Sequence, residues 1–248
     1  MSETALIVGG GPGTSASCAA LFAKNGMDVA IAARTPDKPA LMDLETHFNV
    51  RRYGCDASDA SSVGQLFEAV TRDLSAPRLV VHNIDGRMRD VFRKGIQEVD
   101  PDLVAQVLNN SAYSAFLVAQ QAAKKMLDNA PDANGKRGAI IFTNASASMK
   151  GFAKSGAFAM ACFAKKGLAQ SIARELNPQG IHVAHVPIDA AIGREQEDGT
   201  RGHWAAGETV DDNMADPQHI AETYWQLYQQ HRSTWTFEVV LRPWTEKW

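Results

Sequence analysis

The chain has 248 residues, 45% of them hydrophobic and 21% charged, with a formal net charge of −3. That composition supplies one sizeable core and contains no low-complexity tract. No run of Lys or Arg exceeds a pair, so no basic surface suited to a phosphate backbone is expected, and nucleic acid is excluded as a partner.

"TALIVGG" reads as a buried strand, "SASCAALFAKNG" as a helix and "DVAIAAR" as a second strand; "RLVVHN", "GAIIFTN" and "IHVAHVPI" repeat the theme. Strand and helix in regular succession predict an α/β fold: a single doubly wound Rossmann-type domain over residues 1–248, with a central parallel sheet. "NPQG", residues 177 to 180, stops one helix and feeds the strand from Ile181. Residues 193–214, "GREQEDGTRGHWAAGETVDDNM", are polar and aperiodic and read as a mobile substrate lid. "ADPQHIAETYWQLYQQ" restarts a helix with Asp216 as N-cap and Pro217 in the first turn. The C-terminal "WTFEVVLRPWTEKW" holds three tryptophans in fourteen residues, aromatic weight that packs a last strand or meets a partner or lid.

The three cysteines, Cys18, Cys55 and Cys162, lack CxxC spacing and leave an odd thiol, which fits a reducing, cytoplasmic setting. "MSETALIVGGG" leaves no room for a signal peptide and no apolar stretch reaches spanning length, so no membrane partner is expected. His182 and His185 stand an odd number of residues apart in a strand and so face opposite ways; no metal site is expected.

"VGGGPGTSAS", residues 8 to 17, lies between the first strand and the first helix, where backbone N–H groups and a helix N-terminus can meet a pyrophosphate. This turn and the helix "CFAKKGLAQSIAREL" make the whole chain resemble the short-chain dehydrogenase/reductase superfamily. Its TGxxxGxG turn maps onto Val8, Gly9, Gly13 and Ser15, with Thr14 inside the turn; the family threonine has become valine and the last glycine serine. After the second strand the acidic NAD-selecting position is Ala33, followed by Arg34 and Thr35, which points to NADP(H). Asp56, with Ala57 beside it, matches the family aspartate at the adenine amino group. "VVHNID" stands in place of the family NNAG, with Asn83 kept and His82, Ile84 and Asp85 substituted. Asp85 reads equally as a polar group in a substrate pocket or as a helix cap. Ile192 matches the residue whose backbone holds the nicotinamide carboxamide.

The resemblance also implies a Ser–Tyr–Lys centre with a helix Asn, and none of the four survives. Aligning "AREL" without a gap puts Cys162 at the lysine, Phe158 at the tyrosine and Ala145 at the serine. Ser111, with Asn110 beside it, takes the asparagine position. A rival register with Lys166 at the lysine shortens the helix by a turn and breaks the "AREL" match, leaving Lys166 on a solvated or subunit-facing surface. Ser146, His82 and Asp85 are candidate replacements in the site; Ser146 and Ser148 read either as contacts to a substrate oxygen or as a strand end and loop of small residues, and Tyr113 reads as packing. Phe158 has no proton to give, so ordinary ketone reduction should be badly impaired.

Three readings stay open at this point: an NADP(H)-dependent oxidoreductase of divergent mechanism on a small molecule, a silent NADP(H)- or ligand-binding protein, and a lyase or isomerase in the vacated pocket. Family members usually pair through the two helices that here hold "SAFLVAQQAAKKM" and "FAMACFAKKGLAQSIA", so a homotetramer or homodimer is expected.

Overall fold

Six parallel strands form the centre of the molecule, seen in a computed structural model that describes residues 2–91, 93–195, 201–203, 207–208 and 212–246. They are β1 (Thr4–Val8), β2 (Asp28–Ala33), β3 (Val50–Gly54), β4 (Leu79–His82), β5 (Gly138–Ala145) and β6 (Ile181–Ile188), in the order β3-β2-β1-β4-β5-β6. Every residue of β1, β4 and β6 is buried, which explains why these strands read as unbroken apolar runs rather than as alternation.

Seven α-helices are described: α1 (Thr14–Lys24), α2 (Pro39–His47), α3 (Ala60–Asp73), α4 (Pro101–Leu108), α5 (Ser114–Asp128), α6 (Gly156–Leu176) and α7 (Pro217–Gln229). On one face of the sheet α1, α2 and α7 bury Phe22, Leu41 and Tyr224. On the other, α3, α5 and α6 bury Phe67, Val118 and Ala169. Strand order reverses between β1 and β4, and in such sheets the crevice beyond the strand ends at that point is where ligands bind.

Local chemistry sets the helix starts. Asp59, Asp100 and Asp216 accept from the backbone N–H groups of Ser62, Asp102 and Gln218, and Pro101 and Pro217 follow two of those caps. α4 runs into α5 through a π turn, Asn109–Tyr113, which swings Ser111 into a fully buried position. Gly86 lies at φ +70°, and a Cβ there would stand 2.6 Å from that of Ser111, so the loop after β4 packs directly on this turn.

The C-terminal aromatics resolve toward packing within the chain. Glu238 and Leu241 make parallel bridges to His185 and Ile188 along the open edge of β6. Trp235 stacks on His182 with ring centroids 5.0 Å apart, and Phe237 stacks on His185. Trp235 and Phe237 are half-buried against these histidines, whereas Trp244 is 79% exposed.

Of the expected lid, the described parts form a small antiparallel sheet: β7 (Arg194–Glu195), β8 (Arg201–His203) and β9 (Gly207–Glu208). The remainder, 196–200, 204–206 and 209–211, lies outside the described residues. Among the described residues no helix is long and apolar enough to cross a membrane. Nor does any group of three His, Cys, Asp or Glu among them stand ready for a metal. All three cysteines are free and buried.

Candidate active site

A cavity of about 340 Å³ opens at the strand-order reversal, bounded by the glycine turn, the loop after β4, the end of β5, Lys165 of α6 and the segment after β6. At its glycine end, the N–H groups of Gly9 and Gly10 both donate to the Ala32 carbonyl, at 3.0 and 2.8 Å. Gly9 sits at φ +106°, and a Cβ on it would meet the Asn83 carbonyl oxygen at 2.3 Å, so this position admits only glycine. Ser15, at the site of the family's last glycine, donates its hydroxyl to the Gly9 carbonyl at 2.8 Å and accepts from Asn83 Nδ2 at 2.7 Å. The substitution thus fastens the turn to the loop after β4.

Thr14 differs from its neighbour. Its hydroxyl is buried at the first residue of α1 with no hydrogen-bond partner, and Gly13 before it offers no side-chain cap. An orphaned donor at an uncapped helix N-terminus beside a cavity suits a phosphate oxygen.

Gly9, Gly13, Thr14, Ser15, Asn83, Ile84 and Ile192 all line the cavity, whereas Arg34, Thr35, Asp56 and Ala57 lie outside it, at the ends of β2 and β3. Arg34 and Thr35 are exposed, and the Arg34 charge reaches Asp56. Asp56 accepts from the Ser58 N–H and hydroxyl, at 3.0 and 2.7 Å, and these bonds more than Arg34 hold its carboxyl below the usual range. Sequence reading missed Lys38, whose Nζ lies 3.4 Å from the Gly10 carbonyl and brings a second base to the turn.

The residues that the AREL register aligns with the family's serine, tyrosine and lysine pack together. Ala145, Phe158 and Cys162 meet in one apolar cluster with Ala147 and Ala159. Burial pushes the Cys162 thiol up to about 11, so it is a packed thiol and not a thiolate. Ser111 is fully buried and its hydroxyl has no partner. Ser148 donates to the Ala145 carbonyl at 2.7 Å, and Ser146 does not line the cavity.

His82 is corrected as a proton source. It is wholly buried away from the cavity, its Nε2 is 2.9 Å from the Ser114 hydroxyl, and burial followed by the Lys165 charge pushes its pKa well down. Asp85 does line the cavity, and its Oδ2 lies 3.3 Å from Arg87 Nε. No described helix starts at Asp85, which leaves the pocket reading and removes the cap. Lys166, as the AREL register implies, stays out of the cavity and pairs with Glu238 at 2.9 Å.

Lys165 is the residue that sequence reading passed over. It is 1% exposed, donates to the Ile84 carbonyl at 2.8 Å and the Thr143 carbonyl at 3.3 Å, and lines the cavity. Among the described residues no carboxylate pairs with it, and burial brings its pKa down to about 8. An ammonium has three N–H donors, so two carbonyls leave one for the cavity's contents.

Behind it, Asn144 Nδ2 donates to the Cys162 carbonyl and to His185 Nε2, both at 2.9 Å, while Asn144 Oδ1 accepts from the Ala145 N–H. His185 must therefore carry its proton on Nδ1 and donate it to Glu238 at 2.8 Å. Burial takes His185 down to about 4, so at neutral pH this relay is a fixed strut under β5.

Residues 12–241 match the family model described as enoyl-(acyl carrier protein) reductase. The chain belongs to the short-chain dehydrogenase/reductase superfamily. It is 28% identical over 182 residues to the 3-oxoacyl-[acyl-carrier-protein] reductase MabA of Mycobacterium tuberculosis, covering 73% of this chain and 66% of that protein. A short-chain dehydrogenase from Rhodopseudomonas palustris superposes with a TM-score of 0.77 at 29% identity, over 98% of this chain and 99% of that one. A metagenomic short-chain oxidoreductase, solved in complex with NADP, shares the fold at a TM-score of 0.76 and 19% identity, over 98% of both chains.

For this superfamily member the buried ammonium makes stability depend on pH. Below about 8 the folded chain carries the charge in its core, while an unfolded lysine keeps its proton to about 10.4. Between those values the unfolded state binds more protons, so stability rises with pH. Urea unfolding at pH 7 and pH 9.5 should show the native chain gaining about 2 kcal/mol relative to Lys165→Met. A difference that stays flat with pH would show that Lys165 does not titrate in this range.

Proposed function

We propose that this chain is an NADP(H)-dependent oxidoreductase acting on a small carbonyl or hydroxyl compound, with Lys165 handling the proton that a tyrosine handles in its relatives. The observation that carries the reading is that one cavity joins the glycine turn and orphaned Thr14 hydroxyl to the buried Lys165 ammonium. Gly9, Gly13, Thr14, Ser15, Asn83, Ile84 and Ile192 would hold the dinucleotide, with Arg34, Thr35, Asp56 and Ala57 at its adenosine end. Bound NADPH would supply a hydride to the carbonyl carbon. The Lys165 ammonium gives its proton to the carbonyl oxygen and is left as a neutral amine, which regains a proton from solvent.

NADP(H) is favoured over NAD(H) because Ala33 offers no carboxylate to a ribose hydroxyl, while Arg34 is an exposed base at the end of β2. Lys165 suits the proton because a general acid works best with a pKa near the working pH, and an ordinary lysine near 10.4 would hold its proton too firmly. A second reading, the silent binder, draws on the closed Ala145–Phe158–Cys162 cluster, which reads as packing without chemistry. We also propose self-association as a homodimer or homotetramer, since α5 and α6 expose Phe116, Met160 and Phe163 at 42–46%.

Fluorescence titration should show NADPH binding more tightly than NADH, with Arg34→Ala removing most of the difference; preference for NADH, or no binding of either, would sink the cofactor assignment. With the ammonium as acid, carbonyl reduction should fall as pH rises through about 8, where the proton is lost, and alcohol oxidation should rise over the same range. Lys165→Met should lower turnover by about 10²- to 10⁴-fold and abolish that limb. Absence of turnover across a broad carbonyl panel, together with tight NADPH binding, would select the silent binder. Sedimentation should give a multiple of 26.9 kDa, and a strict monomer would refute self-association.

A further inference from the structure

Lys165 can give a proton only as often as it gets one back. Its side chain is 1% exposed, and two of its three donors are spent on the Ile84 and Thr143 carbonyls. With a dinucleotide along the glycine turn and a substrate beside it, bulk water would meet the amine only by way of the cavity wall. Unless a group on that wall joins the enclosed space to solvent, each cycle would wait on opening of the site.

Asp85 has that position. Its carboxylate lines the same cavity as Lys165 while its side chain is 57% exposed, so one group meets both the enclosed space and water. The backbone brings the two together: the carbonyl that accepts from Lys165 Nζ at 2.8 Å belongs to Ile84, the residue before Asp85. The Asp85 charge reaches Lys165 and Cys162 of α6, favouring the ammonium and disfavouring a thiolate. Its Oδ2 lies 3.3 Å from Arg87 Nε on the same loop, and an ionised carboxylate has about four acceptor sites, so this contact leaves room for water. The loop is anchored on either side, by Asn83 on Ser15 and by Gly86 against Ser111. Arg194 of β7 and His203 of β8 also line the cavity. A guanidinium does not give up its proton, whereas His203 titrates and is the rival carrier.

We propose that Asp85 carries protons between solvent and Lys165. The use of this route rests on the oxidoreductase reading; the route itself does not. Once the ammonium has given up its proton, the Asp85 carboxylate takes one from solvent and passes it, through water in the cavity, to the neutral amine. Carboxylate and ammonium are both restored, and the net change is one proton drawn from solvent. Alcohol oxidation runs the same steps backward.

Exchange of the Lys165 ammonium protons with water tests the route with no cofactor or substrate present, because the path of return is also the path of loss. In a chain carrying isotope-labelled lysine, the Lys165 signal is the one that Lys165→Met removes from the NMR spectrum. Asp85→Asn should slow its exchange by about 10²-fold, the lower end of what a positioned acid–base group contributes, and Asp85→Glu should keep most of the native rate. Added formate, a carboxylate small enough to enter the cavity, should restore exchange in Asp85→Asn and leave the native rate unchanged, a rescue that a merely structural role would not give. The same substitution should move the titration of the ammonium below about 8, since a favourable charge is gone. Circular dichroism confirms folding, and if Asp85→Asn does not fold, Asp85→Ser with and without formate takes its place. Unchanged exchange in Asp85→Asn, no rescue by formate, or slowing in His203→Gln in its stead would overturn the proposal. Turnover is read separately. A native chain that reduces nothing on the carbonyl panel while Asp85→Asn slows exchange would sink the oxidoreductase reading and leave the route standing; turnover with exchange indifferent to Asp85 would do the reverse.

Discussion

An ammonium held in the core by two backbone carbonyls constrains the whole reactive end of this molecule. Lys165 finds its partners in Ile84, just beyond β4, and Thr143, near the end of β5, two neighbouring strands of the parallel sheet. Isolated charges are costly to bury, and here the solvation lost is replaced mainly by two carbonyl dipoles, with the Asp85 charge supporting the ammonium from a distance. That choice has consequences for everything nearby. The loop after β4 must stay where Ile84 can accept, which requires Gly86 against Ser111 and Asn83 tied to Ser15. The end of β5 must stay in register, which the Asn144–His185–Glu238 relay secures from behind. The cost that remains appears as a lysine pKa near 8, the property that suits it to proton transfer.

Most of the architecture was legible because its signals are local and strong. Alternating apolar runs gave parallel strands, Asp216–Pro217 gave the start of α7, and the glycine turn fell where β1 meets α1. Lys165 was legible too, in hindsight. Among the buried residues of α6, Phe158, Cys162, Lys165, Ala169, Ala173 and Leu176 form a stripe at steps of three and four, and Lys165 lies on it while Lys166 lies beside it. Searching only for a lysine four residues after an aromatic hid the one that the periodicity places inward. The relay through His185 and Glu238 was not legible, because it joins residues 53 apart in sequence across a sheet edge that only the fold defines. Nor did sequence reveal His82 as a core residue, since a strand end shows its face only once its neighbours are placed.

Under the AREL register, the residues at positions 158 and 162 are coherent when taken as a set. With lysine at position 162, two cations would lie one helical turn apart on a single buried stripe, each disfavouring the other's charged form. Cysteine there removes that conflict, and its thiol, pushed up by burial, adds no charge at neutral pH. Phenylalanine at 158 then removes a phenol whose ionisation a nearby lysine would promote, and offers a bare aromatic face to Arg87 instead.

What results is a cavity lined by two basic side chains in different settings. Lys165 is buried, carries no paired carboxylate among the described residues and titrates near 8, so its charge is conditional on pH. Arg87 lies over the Phe158 ring and pairs with Asp85, so its place is held from two sides. Under the proposed reaction, the acid matched to neutral pH would come from this buried lysine rather than from a tyrosine.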